Sequence, residues 1–287
     1  MTTAQSSTHA SAGEAAASKP LSASDRDSLQ RAYAEDGYVV LRGALGRDRL
    51  AALSADIIAA YEEEKRSGTL MNGGGAFSGH LNCFPGGGSR FVWEALEQHG
   101  IVELLKAITP RAFAQPAVRC NVNLPESVTQ HYHIDGVYLD RFTVVNIAVM
   151  DTDLVNGAID IIPATHKKFL KYWRFAVERP YRLAKRIPMT TGDVLIRSST
   201  LWHRGMPNRS PRPRPMLAFT VGDKYERVLD DPFADNGGKI AFYQNWFRPT
   251  RLGRLRERTF VAAPITYAAY RFVSSLYSNK GYGTPSA

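Results

Sequence analysis

The tightest constraint on this chain is a pair of ligand-type side chains two residues apart, His133 and Asp135, in Gln130-His131-Tyr132-His133-Ile134-Asp135-Gly136. Seventy residues on, His203 follows in Leu201-Trp202-His203-Arg204-Gly205. Residues i and i+2 of a strand share a face, roughly 6.6 Å apart, so an imidazole and a carboxylate placed so reach one ion. A second imidazole from a distant strand sets two nitrogens and one oxygen on one side of a metal, the facial arrangement that suits non-haem Fe(II). The order HxD, long gap, H fits a rolled antiparallel sheet that returns its third ligand late. An HxD pair also arises by chance, and the chain has seven histidines. His9 lies in a tail and His99 follows a helix-like stretch; neither is given a role. His80, in a glycine-rich run, reads as a loop residue that is able to face a substrate.

After His203, Pro207, Pro211, Pro213 and Pro215 forbid a helix and mark a tight connection. Met216 to Val221 then reads as a strand, so Arg214 stands where it begins. A hairpin folds that arginine back beside His203, where a guanidinium takes a carboxylate by a two-pronged contact. Arg212 competes for this role, because strand alternation puts both arginines on one face.

The chain resembles the phytanoyl-CoA dioxygenase family of Fe(II)/2-oxoglutarate oxygenases from about Leu21 to Asp223. The likeness rests on Ala34-Glu35-Asp36-Gly37-Tyr38-Val39-Val40-Leu41-Arg42-Gly43, on Asn156-Gly157-Ala158 with Ile162-Pro163-Ala164-Thr165-His166-Lys167, on Gly192-Asp193-Val194-Leu195-Ile196 and on the Trp-His-Arg-Gly block. Ala164-Thr165 stands where Gly-Ser is commoner. The resemblance implies His133, Asp135 and His203 as iron ligands and Arg214 as the residue that binds the distal carboxylate of 2-oxoglutarate. It makes His166 a packing residue. It implies hydroxylation of a small-molecule substrate with Fe(II), 2-oxoglutarate and O2. Desaturation, cyclisation or epimerisation on the same metal site is the alternative, and a cupin-like metal protein without oxygen chemistry is another. Halogenases of this kind carry a small residue where Asp135 stands, which argues against halogenation. Asn121 or Asn123, in the strand before the HxD, is a candidate for the other carboxylate of the co-substrate, or else a sheet residue facing a neighbour. Tyr138 and Trp202 are candidate substrate contacts or, more commonly, packed aromatics, and Tyr132 and Ile134 point away from the iron by alternation. Substrate identity does not transfer.

At 287 residues the chain can bury one sizeable core, and 44% hydrophobic with 22% charged residues is ordinary for a globular protein. Residues 1–21, rich in Ala, Ser and Thr, read as a flexible tail rather than a signal or transit peptide. Cys83 and Cys120 have no metal-type spacing, and a reducing cytoplasm suits them. The net charge of +9 is uneven. One basic run, Ala164 to Arg214, adjoins the triad and suits an anionic substrate. The other lies in the last fifty residues. Nucleic-acid binding is not expected, for want of motif context. A peripheral membrane contact competes, through Phe260 to Tyr277, where Ile265, Ala269, Phe272 and Leu276 recur at helical spacing. A terminal helix docked on its own domain is the commoner outcome. A third rival makes the basic surfaces the point of the protein, as a nucleic-acid or lipid binder with no enzymatic role.

Periodicity predicts helices over Ser22–Ala34 (capped by Ser24), Arg47–Arg66 and Ser89–Thr109, with a strand at Tyr38–Arg42. Gly68–Gly88 reads as an irregular loop or a mobile cover. Strands follow at Val118–Leu124, His131–Asp135, Thr143–Met150, Ala158–Ile162, Asp193–Ile196 and Met216–Val221, with a partly helical insertion at Lys168–Ala184. The expected fold is mainly β with flanking helices: a double-stranded β-helix of the jelly-roll, cupin-like kind, spanning 22–287 as one domain with a basic C-terminal helical extension.

Overall fold

The computed structural model describes residues 14–16, 20–68, 77–243 and 250–277. The strands are β1 (Glu14–Ala16), β2 (Tyr38–Arg42), β3 (His80–Phe84), β4 (Ala117–Asn123), β5 (Thr143–Ile147), β6 (Ile159–Ile161), β7 (Lys185–Ile187), β8 (Val194–Ser198), β9 (His203–Arg204), β10 (Arg214–Val221) and β11 (Ala241–Tyr243). The helices are α1 (Ala23–Asp36), α2 (Arg47–Ser67), α3 (Arg90–Gln98), α4 (Ile101–Ile108), α5 (Tyr172–Glu178), α6 (Arg251–Ala262) and α7 (Pro264–Tyr277). One sheet runs β1-β2-β8-β5-β10-β4-β3-β11 and a smaller one β7-β6-β9; every pairing is antiparallel except β1 with β2. This is the jelly-roll architecture the strand pattern leads one to expect.

Strand alternation divides the large sheet into two unlike faces. Val39 and Leu41 of β2, Val118 and Val122 of β4, Val145 and Ile147 of β5, and Leu217 and Phe219 of β10 turn one way, into the main core. Helices α1 to α4 cover that face. Helix α2 lays Leu50, Leu53, Ile57 and Tyr61 on it, at helical spacing and all buried. Each contributes about 1.5–3 kcal/mol by burial. The alternate residues, among them Asn121, Asn146, Arg197 and Arg214, turn the other way and line a cavity that residues of the small sheet also line.

Several boundaries differ from the sequence reading. The cap of α1 is Ser22, not Ser24: Ser22 Oγ accepts from Asp25 N at 3.2 Å while the Asp25 carboxylate accepts from Ser22 N at 3.1 Å, a reciprocal capping box. The helix expected over 89–109 breaks at Gly100, whose φ of +71° is left-handed. The glycine-rich stretch contains β3, so it is not wholly loop, and residues 69–76 of the expected cover lie outside the described residues. The segment 131–135 is no regular strand; it makes a single antiparallel bridge, His133 to His203. The C-terminal helix is two helices, because Pro264 has no N–H with which to continue α6. Apart from 14–16 and 20–21, the expected N-terminal tail lies outside the described residues. Among the described residues no helix is long and apolar enough to cross a membrane.

Candidate active site

The bridge between residues 133 and 203 assembles the site. His133 N donates to the His203 carbonyl at 2.9 Å and His203 N to the His133 carbonyl at 3.0 Å, so the two imidazoles stand side by side, 4.4 Å between ring centres. Asp135 is held from its own backbone, its N–H donating to the Ser199 carbonyl at 2.8 Å. The carboxylate therefore lies 3.7 Å from His133 Nε2 and 3.6 Å from His203 Nε2. One ligand atom from each of the three residues lies within 4.8 Å of the other two. Each histidine turns Nδ1 to a carbonyl two residues back, His133 to His131 at 2.8 Å and His203 to Leu201 at 2.9 Å. Donation of Nδ1–H there leaves Nε2 as the free lone pair, the tautomer a metal needs.

Electrostatics favour the same protonation states. Burial lowers the pKa of both imidazoles, and for His203 the nearby Arg197 adds to it, so both are neutral at neutral pH. Burial alone would raise the Asp135 carboxyl, but the Arg197 guanidinium outweighs it and holds the group ionised. Arg197 is buried in β8, with one guanidinium nitrogen 2.7 Å from Asp135 Oδ2 and Nε donating to Asn146 Oδ1 at 3.2 Å. Sequence reasoning ended this strand at Ile196 and missed it. The available signal was an arginine inside an otherwise apolar strand, which demands a carboxylate partner.

Arg214 and Arg212 do not share a face after all. Arg212 is exposed in the turn before β10, whereas Arg214 opens the strand, buried, and lines the cavity. Its Nη2 donates to the Gly157 carbonyl at 3.1 Å and its Nε to the Asn156 carbonyl at 3.4 Å. No carboxylate among the described residues lies within ion-pair distance of it. Burial pulls its guanidinium down to about 10, which still leaves it charged at neutral pH. A buried cation without a counterion is costly, so this position suits an anion from outside the chain. The Asn156-Gly157 turn is what seats it. Gly157 has φ +93°, and a Cβ there would come within 2.5 Å of Asn123 Nδ2 and 2.7 Å of the Met206 carbonyl. Asn208 and Ser210 shape the loop that delivers Arg214: Asn208 Nδ2 donates to the Arg212 carbonyl at 2.7 Å and Ser210 N to Asn208 Oδ1 at 2.9 Å.

The two asparagine candidates separate. Asn121 lines the cavity, with its amide donating to the Leu81 carbonyl at 3.2 Å. Asn123 is fully buried opposite Arg214 in the β4–β10 register, and its amide donates to the Met206 carbonyl at 2.8 Å. It braces the loop and does not line the cavity. His80 is buried rather than in a loop; it lines the cavity and its Nε2 lies 2.7 Å from the Val128 carbonyl. Ile134 also lines the cavity, contrary to the alternation argument, because 131–135 is not a regular strand. Tyr132 does point away, donating to Asp160 at 2.7 Å. Trp202 stacks on Phe175 at 4.3 Å, Tyr138 packs against Phe169, and His166 packs beneath Gly37.

The cavity measures about 1100 Å3. One wall comes from the C-terminal helices, which the sequence reading gave no part in the site. Tyr267 and Arg271 of α7 line it, and His131 packs between Phe260 and Tyr267 at 4.6 and 4.8 Å. Buried Arg271 donates to the Tyr132 carbonyl at 2.7 Å and lies over the Tyr172 ring at 4.1 Å. Helix α6 is fastened by buried Glu257, one carboxylate oxygen of which accepts from Phe77 N, Ser78 N and Ser78 Oγ at 3.0–3.1 Å.

The profile of the phytanoyl-CoA dioxygenase (PhyH) family matches residues 33–216, nearly two thirds of the chain. Among solved structures, the non-haem α-ketoglutarate-dependent epimerase SnoN from nogalamycin biosynthesis is similar at 15% identity, covering 70% of this chain and 82% of SnoN with a TM-score of 0.52. The carbocyclase SnoK from the same biosynthesis gives 18% identity, 71% and 84% coverage and a TM-score of 0.50. AviO1 from Streptomyces viridochromogenes gives 17%, 72% and 99%, and 0.54. At these identities the structures speak for the fold.

Proposed function

The chain belongs to the phytanoyl-CoA dioxygenase family of non-haem iron, 2-oxoglutarate-dependent oxygenases, and on that premise we propose that His133, Asp135 and His203 hold its Fe(II). Arg214 then receives the distal carboxylate of 2-oxoglutarate. The observation that carries the assignment is one cavity holding both a two-histidine, one-carboxylate cluster and a buried arginine with no carboxylate partner among the described residues. Iron held by His133, Asp135 and His203, with 2-oxoglutarate on Arg214, would supply the oxidising power for a reaction that consumes O2 and yields succinate and CO2. The chain's own part is positional. His131 and Leu201 fix the imidazole tautomers through their carbonyls, Arg197 turns and ionises Asp135, and the Asn156-Gly157 carbonyls aim Arg214. Such preorganisation makes large contributions to rate. Asn121, in the cavity wall, is the asparagine placed to meet the co-substrate.

The substrate is a small molecule, and we read it as anionic. Arg227 lines the cavity and, among the described residues, has no carboxylate within ion-pair distance. Hydroxylation is the main outcome. Epimerisation or ring closure on the same site is the second, favoured by a jelly roll shared with SnoN and SnoK. A protein working with ferrous iron and two free thiols, Cys83 and Cys120, suits the cytoplasm. The test is succinate formation from 2-oxoglutarate with Fe(II) and O2. Absence of any turnover, with or without candidate substrates, in protein shown to bind iron would sink the reading. Product mass then separates the outcomes, since hydroxylation adds one oxygen and epimerisation none.

A further inference from the structure

Helix α7 turns Arg271 and Ser275 inward and leaves much of its apolar surface outward, while α6 buries Gly253, Glu257 and Phe260 and exposes Leu252 and Leu255 among its arginines. On α7 the buried positions are Arg271 and Ser275, with Ser275 Oγ accepting from Trp173 N at 2.9 Å. Most of the apolar stripe that would dock a terminal helix on its own domain faces away from it: Ile265 is 75% exposed and Ala269 is exposed, while Phe272 is half-buried, and Val273 beside it is 55% exposed. Leu276 and Tyr277 continue it to the helix end, both exposed. On α6, Leu252 and Leu255 are exposed beside Arg251, Arg256 and Arg258. The single acidic residue of the two helices, Glu257, is buried on the Phe77–Ser78 backbone. Among the described residues no carboxylate lies within ion-pair distance of Arg251, Arg256 or Arg258. A surface of leucine, isoleucine, valine and tyrosine interleaved with arginine, and free of exposed acids, complements an anionic lipid interface. Apolar side chains enter the acyl boundary, tyrosines sit at headgroup level and arginines meet the phosphates.

We propose that the outer face of α6–α7 docks this protein on the surface of an anionic bilayer. Its other face carries Tyr267 and Arg271 into the cavity, so docking would bring the cavity close to the headgroups. The inference needs neither iron nor co-substrate. It is tested with the full chain, metal-free, by co-sedimentation with phosphatidylcholine vesicles with and without phosphatidylglycerol. Binding is expected only with phosphatidylglycerol and is expected to weaken with salt. Arg251→Gln and Arg256→Gln should each lower the partition coefficient about fivefold, and Ile265→Glu with Leu276→Glu should abolish it. These residues are exposed, so the variants should keep the wild-type circular dichroism and succinate formation. Equal sedimentation with both vesicle types, or binding untouched by the substitutions, would overturn the proposal. So would a dimer in light scattering that Ile265→Glu dissociates, because a second copy would then own the face.

Discussion

The large sheet and the C-terminal helices each present charge to the same cavity, but by different means. In the sheet, Arg197 and Arg214 reach the cavity by alternation, and the intervening Ile196, Pro215 and Leu217 are buried on the strand. Charge toward the cavity and oil toward the core come from one strand at once. Helix α7 has no such second partner on its outer face among the described residues. With Arg271 and Ser275 turned inward, Ile265, Val273, Leu276 and Tyr277 are left exposed. The two-faced sheet thus carries a polar site without exposing apolar surface, whereas α7 on the rim does not. Hydrophobic periodicity alone therefore identifies such a helix without saying which way it points.

The sharpest blow to the sheet side is Asp135→Ala. Succinate formation should fall to background while the thermal unfolding midpoint stays near that of the parent, a pair of readings that separates lost chemistry from lost fold. Next is Arg214→Ala, which should raise the KM for 2-oxoglutarate by about a hundredfold, in line with the 2–5 kcal/mol of a truncated buried charge pair. Its Fe(II) affinity, read by metal titration, should barely change; equal losses in both would refute the division of labour. Arg197→Gln acts through Asp135 and should weaken Fe(II) binding about 10- to 100-fold, the usual range for a group that orients a metal ligand.

On the helical side the contrast is in stability. Arg271→Ala removes a buried, charge-assisted hydrogen bond and should cost about 1.5–3 kcal/mol in denaturant unfolding. Ile265→Glu, on the same helix, should stay within about 0.5 kcal/mol. The reverse order would mean that α7 is oriented the other way. A pH effect spans both walls. Burial depresses His80 and His131 to about 4, below the ordinary value of 6.5. The unfolded chain therefore takes up these protons first as pH falls. Stability is full above 6.5 and drains toward pH 4. The unfolding midpoint of the metal-free protein should drop over that window, less steeply in His131→Gln.

The convergence of His133, Asp135 and His203 was legible because few residue types supply metal-ligand chemistry, and they meet even though 131–135 is not a regular strand. Arg214 was legible for a similar reason, but its choice over Arg212 needed the start of β10. Arg197 was hidden by a strand end placed two residues early, and β3 by a glycine-rich context that masks Leu81, Cys83 and Phe84. Ala164 shows how a departure from the family pattern reads in three dimensions. It takes φ +61°, where the commoner glycine costs nothing. The contribution of α6–α7 was out of reach, since no local pattern announces that Tyr267 and Arg271 meet residues more than a hundred positions earlier.

Glu257 ties the far end of the chain to Phe77 and Ser78 through three hydrogen bonds to one oxygen. The C-terminal helices are therefore not an interchangeable cassette. A chimera that borrowed them from a relative would need residues 77–79 from the same donor, and substrate preference should be inherited by the two segments together.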